Sequence, residues 1–209
     1  PILVGISGGS ASGKTSICHK LADSLSIQHC VVITTDSFYR DLTPEQLERV
    51  TEYNFDHPSA FDFDDLHDTL LKLLAWETAE IPIYDYAANK RSSKTMRTEP
   101  TRVIVLEGIT ALYDPRIRQL MDYKIFVKTD DDERLARRIV RDTTQRGREV
   151  SGVIAQYRKF VKPAYDEHIA PMMRHADLII PRGAENKPAI DMVIHSVTCQ
   201  LQTPLKSLS

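Results

Sequence analysis

The chain has 209 residues, 42% of them hydrophobic, and a formal charge of −2 from 27 basic and 29 acidic side chains. That length and apolar content support one substantial core, a single domain over 1–209, and the balanced charge argues against nucleic acid or an anionic membrane as a partner. Cys18, Cys30 and Cys199 are odd in number and lack C-x-x-C spacing, which excludes a disulfide framework or a cysteine zinc site and fits reduced thiols in the cytoplasm.

The first predicted element is an apolar strand over 2–6, and the chain opens into it with no visible signal or transit peptide. Directly after it, Gly8-Gly9-Ser10-Ala11-Ser12-Gly13-Lys14-Thr15 fits G-x-x-x-x-G-K-[ST], a phosphate-binding loop. Glycines let successive N–H groups turn inward toward phosphate oxygens. Lys14 supplies a cation for the β- and γ-phosphates, and the Thr15 hydroxyl, with Ser16 beside it, suits a Mg²⁺-bound nucleotide. A helix predicted over 15–25, with Ile17, Leu21 and Leu25 on one face, aims the positive end of its dipole at the same anions. The sequence therefore predicts binding of a nucleoside triphosphate.

A second apolar strand over 31–34 runs through Thr35 into Asp36, and another over 103–106 runs into Glu107-Gly108. A carboxylate at the end of a buried strand is costly unless a metal ion, a cation or a reacting hydroxyl meets it. Helical periodicity is predicted over 64–76, 131–141, 152–161 and 188–201, and further strands over 124–127 and 178–180. Alternating strands and helices, with continuous apolar strands, predict an α/β fold with a central parallel sheet of about five strands covered on both faces. Ligands in such sheets sit at the carboxyl ends of the strands, where Asp36 and Glu107 stand. No apolar run reaches membrane-spanning length.

Between Arg134 and Arg148 lie six arginines: Arg134, Arg137, Arg138, Arg141, Arg146 and Arg148. Their permanent charge and planar fork suit a phosphate in transfer. The segment reads as an arginine-rich lid over roughly 131–150, with Arg134 and Arg137 assigned instead to a solvated helix face paired with Asp131, Asp132 and Glu133. Residues 161–163 and 181–183 read as turns, with Arg182-Gly183 alternatively near an adenine, and His57 reads as structural. No aspartate begins D-x-x-G and neither Asn-Lys pair continues to N-K-x-D, so a GTPase switch is disfavoured and a small-molecule kinase is left.

Several segments together resemble the uridine–cytidine kinase family. They are the phosphate loop, Thr35-Asp36-Ser37-Phe38-Tyr39, Tyr53-Asn54-Phe55-Asp56-His57-Pro58, Ile81-Pro82-Ile83-Tyr84-Asp85-Tyr86, Leu106-Glu107-Gly108-Ile109, and Arg137-Arg138-Ile139-Val140-Arg141-Asp142 leading to Arg146-Gly147-Arg148. Gln156-Tyr157, Val161-Lys162-Pro163 and Ala176-Asp177 continue the family order toward Pro181-Arg182-Gly183. The resemblance implies a P-loop kinase fold with a small nucleoside-binding β-insertion, ATP as donor, Mg²⁺, a nucleoside acceptor and a homotetramer. It makes Asp36 the base for the 5′-hydroxyl, and Thr15, Glu107 and Asp36 the surroundings of Mg²⁺. Asp56 and Arg148 then hold the ribose; Tyr39, Tyr84, Tyr86, Arg148 and Gln156 line the nucleoside pocket; Arg138, Arg141 and Arg146 close over ATP. Taken alone, the aromatics around 53–55 and 84–86 also fit core or hairpin positions. The family pattern has a histidine where this chain has Asn89, an amide that can both donate and accept but is shorter, so the preference between uracil and cytosine stays open. Other readings are a P-loop kinase for another small alcohol, for which Arg40 is the one obvious extra cation near Asp36, or a catalytically silent nucleotide-binding subunit.

Overall fold

The computed structural model describes residues 1–25, 30–86 and 88–202. Its centre is β1 (Ile2–Gly8), buried along its whole length. Strand alternation sends Leu3 into one core with Ile104, Leu106 and Phe126, and Ile2, Val4 and Ile6 into the other with Val103, Val105 and Val127. A strand that is buried at every position thus serves two cores at once, as a central parallel strand must.

The sheet has the order β2-β5-β1-β6-β7, built from β2 (Cys30–Thr34), β5 (Val103–Glu107), β6 (Tyr123–Lys128) and β7 (Leu178–Pro181), all parallel where they pair. The five strands expected from the sequence are these five. Register aligns Ile6 and Thr34 with Glu107, so β1, β2 and β5 end at one edge, where the phosphate loop and Asp36 begin.

Helices cover both faces. The α1 helix (Lys14–Leu25) and α8 (Lys187–Gln202) bury Ile17, Leu21, Ile190, Val193 and Val197 in one core. On the other face α3 (Phe63–Leu74) buries Leu66, Leu70 and Leu73, each worth about 1.5–3 kcal/mol by removal from water. Its start is fixed by Asp62, whose side chain accepts from the Asp65 N–H. It stops at Leu74, short of the expected end, and Trp76 turns the chain in the left-handed region at φ +63°.

Two short helices, α2 (Pro44–Glu48) and α4 (Pro115–Leu120), were not anticipated, although each starts with a cap residue followed by proline. The hairpin of β3 (Ala79–Asp85) and β4 (Lys90–Thr98) is a separate antiparallel sheet, the small insertion that the family resemblance implies.

The turn expected at 161–163 is absent. After α5 (Asp131–Gln145) and α6 (Val150–Gln156), the chain stays helical through wide i→i+5 turns at Tyr157–Val161 and Tyr165–Ile169, either side of α7 (Lys162–Ala164). Pro163 has no N–H to donate, and the widened turns carry the helix past it while Tyr157, Val161, Ala164, Tyr165 and Ile169 stay buried. At 181–183 the turn is present: Arg182 adopts φ +65° before a 3₁₀ turn over Gly183–Glu185.

Candidate active site

The phosphate loop leaves β1 and enters α1 with Ala11 in the left-handed region at φ +61°, and Lys14 beneath it is 7% exposed. The Lys14 Nζ donates to the Gly9 carbonyl at 3.0 Å, and the Thr15 hydroxyl donates to Glu107 Oε1 at 3.4 Å. Burial lowers the Lys14 pKa, opposed by the charges of Glu107 and Asp36. Asp36 sits in a 3₁₀ turn over Thr35–Phe38, its N–H bonded to the Thr34 hydroxyl at 3.3 Å. Burial, with Glu107 beside it, raises the Asp36 pKa to about 6 against the pull of Lys14. Tyr86 Oη donates to Asp36 Oδ2 at 3.4 Å, which ties the hairpin to the strand edge.

Among the described residues no three His, Cys, Asp or Glu side chains form a metal-holding group. Thr15, Glu107 and Asp36 offer one hydroxyl and two carboxylates. That set suits Mg²⁺, which characteristically takes one or two carboxylates and fills its other positions with phosphate oxygens and water.

The solvated helix face read for Arg134 and Arg137 does not include Arg134. Arg134, expected there, is 1% exposed: its guanidinium lies 3.8 Å from the Tyr165 ring centroid and its Nε donates to the Thr129 carbonyl at 3.1 Å. Its Nη1 also occupies the space that a side chain on Gly9 would need. The expected pairing with Asp131 is present, its Oδ1 accepting from Arg134 Nη2, but the solvation fails because the ring of Tyr165, far away in sequence, covers the guanidinium. Arg137 agrees better with the surface reading, pairing with Glu133 at 3.1 Å and Glu185 at 2.7 Å. Arg138 is 6% exposed and donates from Nη1 to Ser10 Oγ at 2.9 Å and from Nη2 to Gln156 Oε1 at 3.0 Å. Arg148 reaches the same Gln156 oxygen at 2.9 Å. Burial lowers the pKa of Arg138, while Asp56 and Asp142 act to raise it.

These groups line one cleft of about 1060 Å³. Small-molecule sites run to roughly 1,000 Å³, so this cleft stands at the upper end of that range. Of the residues singled out from sequence, Ser10, Ala11, Gly13, Lys14, Thr15, Ser16, Asp36 and Glu107 line it, as do Tyr39, Asp56, Tyr84, Tyr86 and Asn89. Arg138, Arg141, Arg146, Arg148 and Gln156 complete the set, whereas Gly8, Gly9 and Ser12 lie outside the lining.

Tyr39, which lines the cleft, stacks on Phe61 at 4.5 Å between centroids and meets Phe55 and Tyr84 at 5.7 and 5.1 Å. Tyr84 takes the core position read for it and still lines the cleft, as buried Tyr39 does, whereas Tyr86 lines the cleft while 60% exposed. The Tyr84 hydroxyl is buried without a hydrogen-bond partner, and burial raises the pKa of Asp56. Sequence reasoning missed Lys159 and Phe160 in the lining; they lie on the first wide turn, whose geometry no helical periodicity reveals. It also assigned no role to Asp142, which is fully buried among arginines.

The profile of the phosphoribulokinase/uridine kinase family matches residues 3–189. The chain belongs to this family. The match runs from the central strand through the hairpin and the arginine helix into α8, so every part of the cleft falls within the family's sequence. A family member from Arabidopsis thaliana, uridine kinase-like protein 4, is 50% identical over 201 residues, 96% of this chain but 43% of that protein. This chain therefore spans less than half the length of that relative. A uridine kinase from Ligilactobacillus salivarius is 46% identical over 197 residues, covering 94% of this chain and 92% of that one. A phosphoribulokinase from Rhodobacter spheroides shares the fold, with a TM-score of 0.63 at 17% identity over 87% of this chain and 69% of that one.

Proposed function

We propose that this chain transfers the γ-phosphoryl group of ATP to the 5′-hydroxyl of uridine or cytidine, giving UMP or CMP and ADP. The observation that carries the reading is one cleft that brings the phosphate loop together with Asp56, Tyr39, Tyr84 and Asn89, with Asp36 within electrostatic reach of both Lys14 and Asp56. Asp36 accepts the proton of the attacking hydroxyl; a carboxylate raised to about 6 is a stronger base than an ordinary one and is still ionised near neutral pH. Lys14 and Arg138, Arg141 and Arg146 offset the charge on the phosphoryl group in transfer. Thr15 and Glu107, with Asp36 close by, hold Mg²⁺ directly or through water; when bound, the ion neutralises charge on the phosphates. Asp56 and Arg148 hold the ribose hydroxyls, Tyr39, Tyr84, Tyr86 and Gln156 enclose the nucleoside, and Asn89 faces the base.

A sugar-phosphate acceptor is disfavoured because Arg40 is engaged elsewhere, donating to the Phe61 carbonyl at 3.1 Å and pairing with Asp62 at 3.4 Å. We further propose a single cytoplasmic catalytic domain that associates as a homo-oligomer. In support, no helix among the described residues is long and apolar enough to cross a membrane, and Cys18 and Cys30 are buried thiols outside any disulfide. Light scattering on the purified chain measures the assembly. ADP release with uridine, cytidine, pantothenate and ribulose 5-phosphate as acceptors, with product mass determined, tests the activity. Turnover only with a non-nucleoside overturns the acceptor assignment, and no turnover with any of them leaves a nucleotide-binding protein without kinase activity.

A further inference from the structure

Asp142 has no solvent exposure, yet four guanidinium groups converge on its carboxylate. Arg141 Nε donates to Oδ1 at 2.9 Å, Arg148 Nη1 lies 3.3 Å from Oδ2, and Arg146 Nη1 and Arg138 Nε stand at 3.6 and 3.7 Å. The main chain closes the same knot: the Arg148 N–H donates to the Asp142 carbonyl at 3.0 Å after Gly147 reverses the backbone at φ +62°. Arg138 and Arg146 each lie four residues from Asp142, one turn before and one turn after it, so α5 itself brings them to the carboxylate. One carboxylate does not neutralise four cations. It holds them together against mutual repulsion and leaves the cluster positive toward the cleft that all four line.

We infer that Asp142 is the positioning residue that gathers Arg138, Arg141, Arg146 and Arg148 into one preformed anion-binding cluster before any nucleotide arrives. The inference rests on the phosphotransfer reading above. Asp142 touches no reacting atom and acts entirely through the arginines, sparing the bound complex the cost of collecting four flexible cations.

The test compares Asp142→Asn, which keeps the shape and removes the charge, with the native chain. Kinetics should show kcat lowered at least tenfold while the ATP Kd stays within about threefold, because the arginines remain present but no longer aligned. A residue that acts through its neighbours must also be non-additive with them. The loss caused by Asp142→Asn should therefore shrink at least fivefold when measured on an Arg141→Ala, Arg146→Ala background. A kcat within twofold of native, or a loss of equal size on both backgrounds, overturns the inference.

A second measurement uses the unmodified, ligand-free chain and depends on neither variant folding nor catalysis. In its ¹⁵N spectrum the Arg141 Nε–H should exchange slowly with water, as a proton bonded to a buried carboxylate does. Exchange as fast as in an exposed arginine overturns the cluster even if the kinase reading stands, whereas slow exchange without any turnover keeps the cluster and removes the kinase reading.

Discussion

Asp36 carries the sharpest expectation at the scale of single residues. Asp36→Asn keeps the size and the bond from Tyr86 but cannot accept a proton, so turnover should fall by roughly 10²–10⁴-fold with ATP affinity nearly unchanged. Initial rates beside calorimetric ATP binding decide it, and near-native turnover removes Asp36 from the chemistry. Asn89 is the second case. It occupies the left-handed region at φ +50°, which asparagine and histidine both tolerate better than most residues, so Asn89→His should fold without strain. The longer ring should lower KM for uridine or cytidine by an amount worth roughly 0.5–1.5 kcal/mol, one hydrogen bond. Unchanged constants for both nucleosides mean that Asn89 does not reach the base. These two residues could be found from sequence because the apolar strand before Asp36 and the family segment before Asn89 announce them. Arg134 and Asp142 could not: an arginine over a distant tyrosine and a carboxylate under four arginines have the same local sequence as an exposed helix face. For Arg134 the deciding partner is brought from Tyr165 by the fold; for Asp142 the partners are its sequence neighbours, and only the burial that turns them inward is hidden from the sequence.

Each cluster of side chains depends on how its element is held. Arg146 follows α5 directly and keeps 45% of its side chain exposed, so Arg146→Ala should barely change the melting temperature while lowering kcat on the order of 10²-fold. A lowered melting temperature with intact kcat would instead make the segment a structural cap. The hairpin hangs on Arg91, which donates to the Tyr39 carbonyl at 2.9 Å and to Asp65 at 2.8 Å and lies 3.6 Å from Asp62, while its N–H donates to Asp41 at 2.7 Å. Arg91→Ala takes the donor away from the Tyr39 carbonyl, Asp65 and Asp62, while the main-chain bond to Asp41 stays, at a cost of about 1–3 kcal/mol, and should raise the nucleoside KM while leaving that of ATP alone. Denaturant melts and paired KM values check both halves of that expectation. The long helices and the five strands followed from periodicity, whereas the wide turns around Pro163 did not. Proline ordinarily reads as a stop, and only buried neighbours on both sides keep the chain helical past it.

Across the whole molecule, segments distant in sequence meet at the phosphate loop. Gly183, just beyond β7, has φ +59°, and a Cβ there would collide with the Ser12 carbonyl. Gly183→Ala should destabilise the chain by about 1–3 kcal/mol and also weaken ATP binding, a pairing of effects that thermal melts and titration together reveal. Ordinary nucleotide affinity in a destabilised variant would separate the loop from its support. The order of strands was legible only in part: apolar runs mark β1 and β5 as buried, but their adjacency is set by crossovers that no local pattern encodes. The hairpin forms its own sheet, apart from the one that carries the phosphate loop, Asp36 and Glu107. The proposed acceptor pocket draws Tyr84, Tyr86 and Asn89 from this hairpin but Tyr39, Asp56, Arg148 and Gln156 from elsewhere, and Tyr86 bonds Asp36. On that reading, drift within 79–98 retunes one wall of the pocket, and a transplanted hairpin must keep a hydroxyl for Asp36 if phosphoryl transfer is to survive.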